Sequence, residues 1–136
     1  MTRKTKKPSK VTESIIQQSA FVYFRKMAKT NPDYESIYAI PNQGTGGKKG
    51  MMHTQLMRAE GQSKGALDIN VDVARMGFHG LRIELKKAEG EVSPQQFRWM
   101  MRHSNQGYYA VALFTDDPED LVNFVDNYLE PPLIVI

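Results

Sequence analysis

Apolar and polar side chains alternate in two stretches near the middle of the chain, Asp68-Ile69-Asn70-Val71-Asp72-Val73 and Ile83-Glu84-Leu85-Lys86. A period of two predicts strands, here over about 66–74 and 81–87, because successive side chains in a strand point to opposite faces. Glu84 and Lys86 then share one face, Ile83 and Leu85 the other, and Asp68 falls on the polar face of its own strand. The connection Arg75-Met76-Gly77-Phe78-His79-Gly80 is short, which favours an antiparallel hairpin. If the strands pair, Asp68, Glu84 and Lys86 converge.

The pattern elsewhere is helical. Thr12 is an N-cap candidate, and Ile16, Ala20, Tyr23 or Phe24, and Met27 recur at helical spacing to about Ala28. Asn31-Pro32-Asp33 ends that helix, and Ser36 to Ile40 reads as a short strand closed by Pro41. Met51 to Glu60 reads as a helix with Gly61 as its stop. Ser93-Pro94-Gln95-Gln96 carries a capping-box signature, and the helix it opens runs to about Asn105, burying Phe97 with Met100 or Met101. Tyr109 to Phe114 is almost wholly apolar and suits a buried strand, parallel to an earlier one reached through the helix crossover. Asp117-Pro118 opens a last helix with Leu121, Phe124, Val125 and Tyr128 on one face.

Size and composition narrow the classes. A chain of 136 residues is one domain's worth, and 40% hydrophobic with 24% charged residues is ordinary for a globular protein. No apolar run approaches the roughly eighteen residues of a membrane span, and no secretory signal opens the chain, so an intracellular protein is expected. Zero cysteines exclude disulfides and thiolate metal sites. Arg3, Lys4, Lys6, Lys7 and Lys10 stand without an acid among the first ten residues, and removing those five from the net +3 leaves −2 on the remainder. Residues 1–11 thus read as a basic flexible arm, either suited to the phosphates of nucleic acid or simply solvated. The domain proper spans 12–130, and 131–136 is an apolar tail.

Several motifs are ruled down. Gly47-Lys48 has Asn42 where a phosphate-binding P-loop needs glycine and Lys49 where it needs Ser or Thr, so ATP binding is not expected. The segment from Asn42 to Gly50 is either a nucleic-acid backbone contact or a linker. His53, His79 and His103 lack metal-ligand spacing and read as surface or loop residues. Trp99, Tyr108 and Tyr109 suit core packing, with base stacking as the alternative.

The chemistry-bearing residues are the acids and the lysine. Magnesium and manganese prefer oxygen ligands, and magnesium commonly takes one or two carboxylates while keeping water and phosphate oxygens. Asp68 and Glu84 supply two carboxylates, the Leu85 carbonyl a backbone ligand, and Lys86 an amine to orient or help deprotonate an attacking water. The same Glu-x-Lys triplet also suits a solvated strand face.

The ordered set is more specific. Glu13 and Gln17 on a helix, Ile40-Pro41-Asn42, Gly65-Ala66-Leu67-Asp68-Ile69, Ile83-Glu84-Leu85-Lys86, Val92-Ser93-Pro94-Gln95-Gln96, and Gly107-Tyr108 before an apolar strand together resemble the virus-type replication-repair nuclease domain, a branch of the PD-(D/E)xK nuclease superfamily. The resemblance covers about Glu13 to Phe114. It implies an α/β fold with a restriction-endonuclease-like core, a mixed central sheet flanked by helices, a Mg2+ or Mn2+ cofactor, and cleavage of DNA phosphodiester bonds, including branched or flap DNA. Carried onto this chain, it makes Asp68 and Glu84 metal ligands, Glu13 a supporting ligand, Lys86 catalytic, and Gln17 and Gln96 site-supporting. Leu67 stands where the family commonly has proline; that proline shapes the backbone and donates no ligand.

Two other readings remain open on the sequence. A noncatalytic nucleic-acid-binding protein would use the basic arm with Lys48, Lys49 and Lys64, and an RNA nuclease would keep the site and change the substrate. A homodimer is a further expectation, since cutting both strands benefits from two sites and the apolar tail suits a partner surface.

Overall fold

The computed structural model describes residues 11–41, 52, 55–61 and 66–131. Helix α1 (Glu13–Ala28) begins at Thr12, whose side chain accepts the Ile15 N–H, and buries Ile16, Ala20 and Phe24. A 3-10 turn (Pro32–Ser36), capped by Asn31, leads into strand β1 (Ile37–Ala39). Strands β2 (Ile69–Val71) and β3 (Leu81–Lys86) follow, then α2 (Pro94–Asn105), β4 (Tyr109–Phe114) and α3 (Pro118–Leu129). Residues 55–59 are helical, within the helix expected over Met51–Glu60.

The four strands form one mixed sheet in the order β1-β2-β3-β4. β1 and β3 both run antiparallel to β2, while β4 runs parallel to β3. The hairpin and the helical crossover expected from the chain are both present. Arg75 and Phe78 bridge across a tight turn whose central residues, Met76 and Gly77, both have positive φ, the geometry that suits the twist of flanking strands. Gly107 ends α2 at φ +91°, and a Cβ there would meet the His79 ring at 2.6 Å.

The two faces of the sheet differ in kind. One packs Ile69, Val71, Leu81, Ile83 and Leu85 against Ile16, Ala20 and Phe24 of α1 and Leu121 and Val125 of α3. Each of the larger side chains buried there contributes roughly 2 kcal/mol relative to exposure, so this layer carries the stability. Tyr109, Val111 and Leu113 of β4 join it as partly buried members. The opposite face holds Arg82, Glu84 and Lys86 of β3, and α2 contacts it through β3 and β4.

That second face corrects one expectation. Phe97 is 58% exposed and Met101 48%, and α2 has no buried residue. The half-buried stripe is instead Gln96, Trp99, Met100 and His103. A helix over a polar sheet face turns its mixed stripe inward, so apolar content alone misidentified the packed side. The strands are also shorter than their alternating patterns. β2 starts after Asp68, whose side chain itself bonds β3, and the expected Ser36–Ile40 strand is trimmed to Ile37–Ala39, with Ser36 taken by the 3-10 turn.

Asp126 of α3 ties three elements together, accepting hydrogen bonds from Tyr23 of α1 (3.0 Å) and from Tyr34 of the 3-10 turn (2.5 Å). Burial, followed by the carboxylate, raises the pKa of both hydroxyls, so both stay protonated donors. Hydrogen bonds to a charged group are worth about 1.5–3 kcal/mol each, and Asp126→Ala also orphans two hydroxyls. The variant should lose about 2–4 kcal/mol in urea denaturation; a loss under about 0.5 kcal/mol would show that the network does not hold these elements.

Candidate functional site

The site is built on the carboxyl end of β3. Ile69 opposes Ile83 in the antiparallel register, so Asp68, one residue earlier, falls beside Glu84. Glu84 is only 2% exposed, yet its Oε2 has no hydrogen-bond partner among the described residues. Its other oxygen accepts from Gln96 Nε2 at 2.5 Å and lies 3.7 Å from Lys86 Nζ. Gln96 Oε1 meanwhile accepts the Ser93 N–H at 2.9 Å. One amide thus caps α2 and holds a site carboxylate, so the structural and functional readings of Gln96 coincide.

Beyond the end of β2, the edge of β3 has no strand partner among the described residues. The Leu85 N–H points to that side and is taken by Asp68 Oδ2 at 2.9 Å. The next amide on the same side, Lys87 N–H, reaches Glu13 Oε1 at 3.4 Å. Between them lies the Leu85 carbonyl, because the N–H and C=O of one strand residue point the same way. Two carboxylates from distant parts of the chain thus occupy the place of a missing strand, with a backbone oxygen between them. Glu13, Asp68, Glu84, Leu85, Lys86 and Gln96 are brought together here. Gln17 lines, with Glu13 and Asp68, an open cleft of about 970 Å³ between α1 and β1. Lys48, Lys49, Lys64, nearly all of the basic arm and most of the apolar tail lie outside the described residues.

The electrostatics follow from crowding acids in a buried place. Burial raises the pKa of Glu84, and repulsion from Asp68 adds to it, against the opposing pull of Lys86; the result is about 8. Asp68 is raised too, chiefly by burial, against the stabilising Leu85 N–H. Glu13 contributes repulsion to both. Such a pair is held at a cost that a cation would remove.

The donor set fits a hard divalent ion. An unpartnered buried carboxylate oxygen, a neighbouring carboxylate and a backbone carbonyl are oxygen donors of the kind Mg2+ and Mn2+ take. Among the described residues no three His, Cys, Asp or Glu side chains are grouped to hold an ion by themselves. Magnesium suits that sparseness, since it usually keeps water and takes one or two carboxylates.

Sequence reasoning passed over Arg82. It shares the Glu84 face, is 8% exposed, bonds Asp72 Oδ1 at 2.9 Å and lies 4.3 Å above the Tyr108 ring. The alternation Arg82, Glu84, Lys86 was the available signal. Tyr108 also meets His79 and His103 edge-on, and Trp99 stacks on His103. His103, half-buried on α2, therefore belongs to an aromatic cluster on the polar face, and burial lowers its pKa, with Arg82 adding to it; His79 touches Tyr108 from the loop before β3 and is exposed, as expected of it. Tyr109 packs in the main core against Phe78 and Phe124.

Neither a protein-family profile nor a curated protein sequence matches the chain. A solved structure described as a "VRR_NUC domain protein" does: it is 22% identical, aligns with a TM-score of 0.71, and the match covers 90% of this chain and 91% of that one. The two share a fold. The α/β architecture expected from the resemblance, a mixed sheet flanked by helices, is thereby borne out. No helix among the described residues is long and apolar enough to cross a membrane.

A pH dependence follows. Because the folded-state pKa of Glu84 lies above its ordinary 4.5, folding favours the protonated form. The stabilisation from that proton is complete below about pH 4.5 and is lost as pH rises through about 8. With divalent ions chelated, thermal melts should show stability falling across this window, and Glu84→Gln should flatten the fall. An equal fall in the variant would contradict the assignment.

Proposed function

We propose that this chain is a divalent-metal-dependent DNA endonuclease that hydrolyses phosphodiester bonds with Mg2+ or Mn2+ and selects branched or flap DNA. The observation that carries the reading is the buried Oε2 of Glu84, set beside Asp68 and without a hydrogen-bond partner among the described residues, while Oε1 of the same carboxylate lies 3.7 Å from the Lys86 ammonium. Likeness to the fold of a VRR_NUC domain protein supports the nuclease class.

Asp68, Glu84 and the Leu85 carbonyl would hold the ion, with Glu13 as a supporting ligand. When bound, the ion lowers the pKa of water in its shell and polarises the phosphate. Lys86 orients the attacking water and offsets charge on the phosphate. Gln96 fixes the Glu84 carboxylate, the kind of outer contact that orients a ligand. Water adds to phosphorus, the bond to the leaving oxygen breaks, and that oxygen takes up a proton. Gln17, on the cleft beside Asp68, and Lys48, Lys49 and Lys64 are the proposed nucleic-acid contacts. Two copies of the chain would suit cleavage of both strands.

Labelled duplex, flap and four-way-junction DNA, each with Mg2+, Mn2+ or chelator, test this. Metal-dependent cleavage is expected, preferring the branched substrates, with losses of about a hundredfold or more in Lys86→Ala and Asp68→Ala. Gln96→Ala should lose about tenfold. Undiminished cleavage in folded Asp68→Ala and Lys86→Ala would sink the reading. Salt-sensitive, metal-independent DNA binding without cleavage would favour a noncatalytic binder instead.

A further inference from the structure

Lys87, the residue after the site lysine, is gripped at both its ends. Its backbone N–H reaches Glu13 Oε1 at 3.4 Å, while its ammonium donates to the Val11 carbonyl and pairs with Asp116 Oδ1 at 3.2 Å. Asp116 is fixed in turn, because the same Oδ1 accepts the Ala88 N–H at 3.2 Å. This backbone bond is the leading cause holding the Asp116 carboxyl below its usual range. The Thr115 N–H donates to the Lys86 carbonyl at 2.9 Å, so the loop after β4 is itself tied to the end of β3.

An isolated ion pair this exposed would contribute little. Here the pair does something geometrical. Val11 and Glu13 flank Thr12, the N-cap of α1, and both are attached to Lys87, the residue just past β3. Helix ends fray, and Glu13 stands at the first residue of α1. The attachment at Val11 restrains the backbone just ahead of Glu13, on the side of β3 where Asp68 and the Leu85 carbonyl already sit. Asp68 and Glu84 lie on or beside the sheet, whereas Glu13 comes from another layer, so a tie between its helix end and the sheet bears directly on its place in the site.

We propose that Lys87, braced by Asp116, is the positioning residue that sets Glu13 against the Asp68–Glu84 pair. The proposal rests on the metal-site reading above. Lys87 touches neither ion nor substrate in this role.

The test uses Mn2+ binding to the chelator-stripped full chain by calorimetry, and amide hydrogen exchange without metal. Lys87→Met should weaken Mn2+ binding about tenfold, the loss typical of an outer positioning contact, while Lys87→Arg keeps most of the affinity. In a Glu13→Gln background, Lys87→Met should add no further loss. Exchange of the amides at positions 15, 16 and 87 should quicken in Lys87→Met with the melting transition still cooperative. Unchanged affinity, an equal loss in both backgrounds, or unchanged exchange would each overturn the positioning role while leaving Asp68→Ala free to report on the ion site. Absence of Mn2+ binding by the wild-type chain would overturn the metal reading and the positioning role with it.

Discussion

The organising constraint is that β3 must bury both of its faces, and only one of them is apolar. Leu81, Ile83 and Leu85 satisfy the hydrophobic layer, while the alternate positions place Arg82, Glu84 and Lys86 where solvent is also largely excluded. Burying a carboxylate without a full set of partners is costly. The structure meets that cost in part through Gln96 and Lys86 and leaves one oxygen without a hydrogen-bond partner among the described residues. A hydrophobic core strong enough to hold the sheet is what allows the polar face to keep this strained arrangement.

The rest of the site follows from where the neighbouring strand stops. β2 is three residues long, and its retreat leaves open the amides of Leu85 in β3 and of Lys87 just past it. Asp68 and Glu13 take those two amides, so carboxylates replace a strand as hydrogen-bond acceptors. The short strand is therefore part of the chemistry. A longer β2 would satisfy the same backbone groups and close off the Leu85 carbonyl. Helix α2 completes the arrangement from above by aiming Gln96 at Glu84, with its own N-terminus locked by the reciprocal Ser93 and Gln96 bonds.

Much of this was legible in the chain because local rules govern it. The alternation through Ile83 to Lys86 placed Glu84 and Lys86 on one face, and the Ser93-Pro94-Gln95-Gln96 signature located the start of α2. The short connection pointed to an antiparallel pair, while the register that brings Asp68 to Glu84 is set by the fold. What escaped the sequence depended on contacts between distant segments. The exposure of Phe97 and Met101 follows from the polarity of the sheet face beneath α2, which no helical period reveals. The pairing of Lys87 with Asp116 and the cluster around Tyr108 likewise need the fold before they can be read. Glu13 was suggested by resemblance alone; its spacing from Asp68 in sequence carries no geometric information.

The central claim is that the Asp68–Glu84 pair forms a divalent-ion site on the edge of β3. A crystal of the full chain soaked in Mn2+, measured for anomalous scattering, tests it most directly. The account predicts a peak bounded by Asp68, Glu84 Oε2 and the Leu85 carbonyl, at metal–oxygen separations of roughly 2.0–2.3 Å with water filling the remaining positions. A clear map with no peak there, or a peak ligated by other residues, would contradict it.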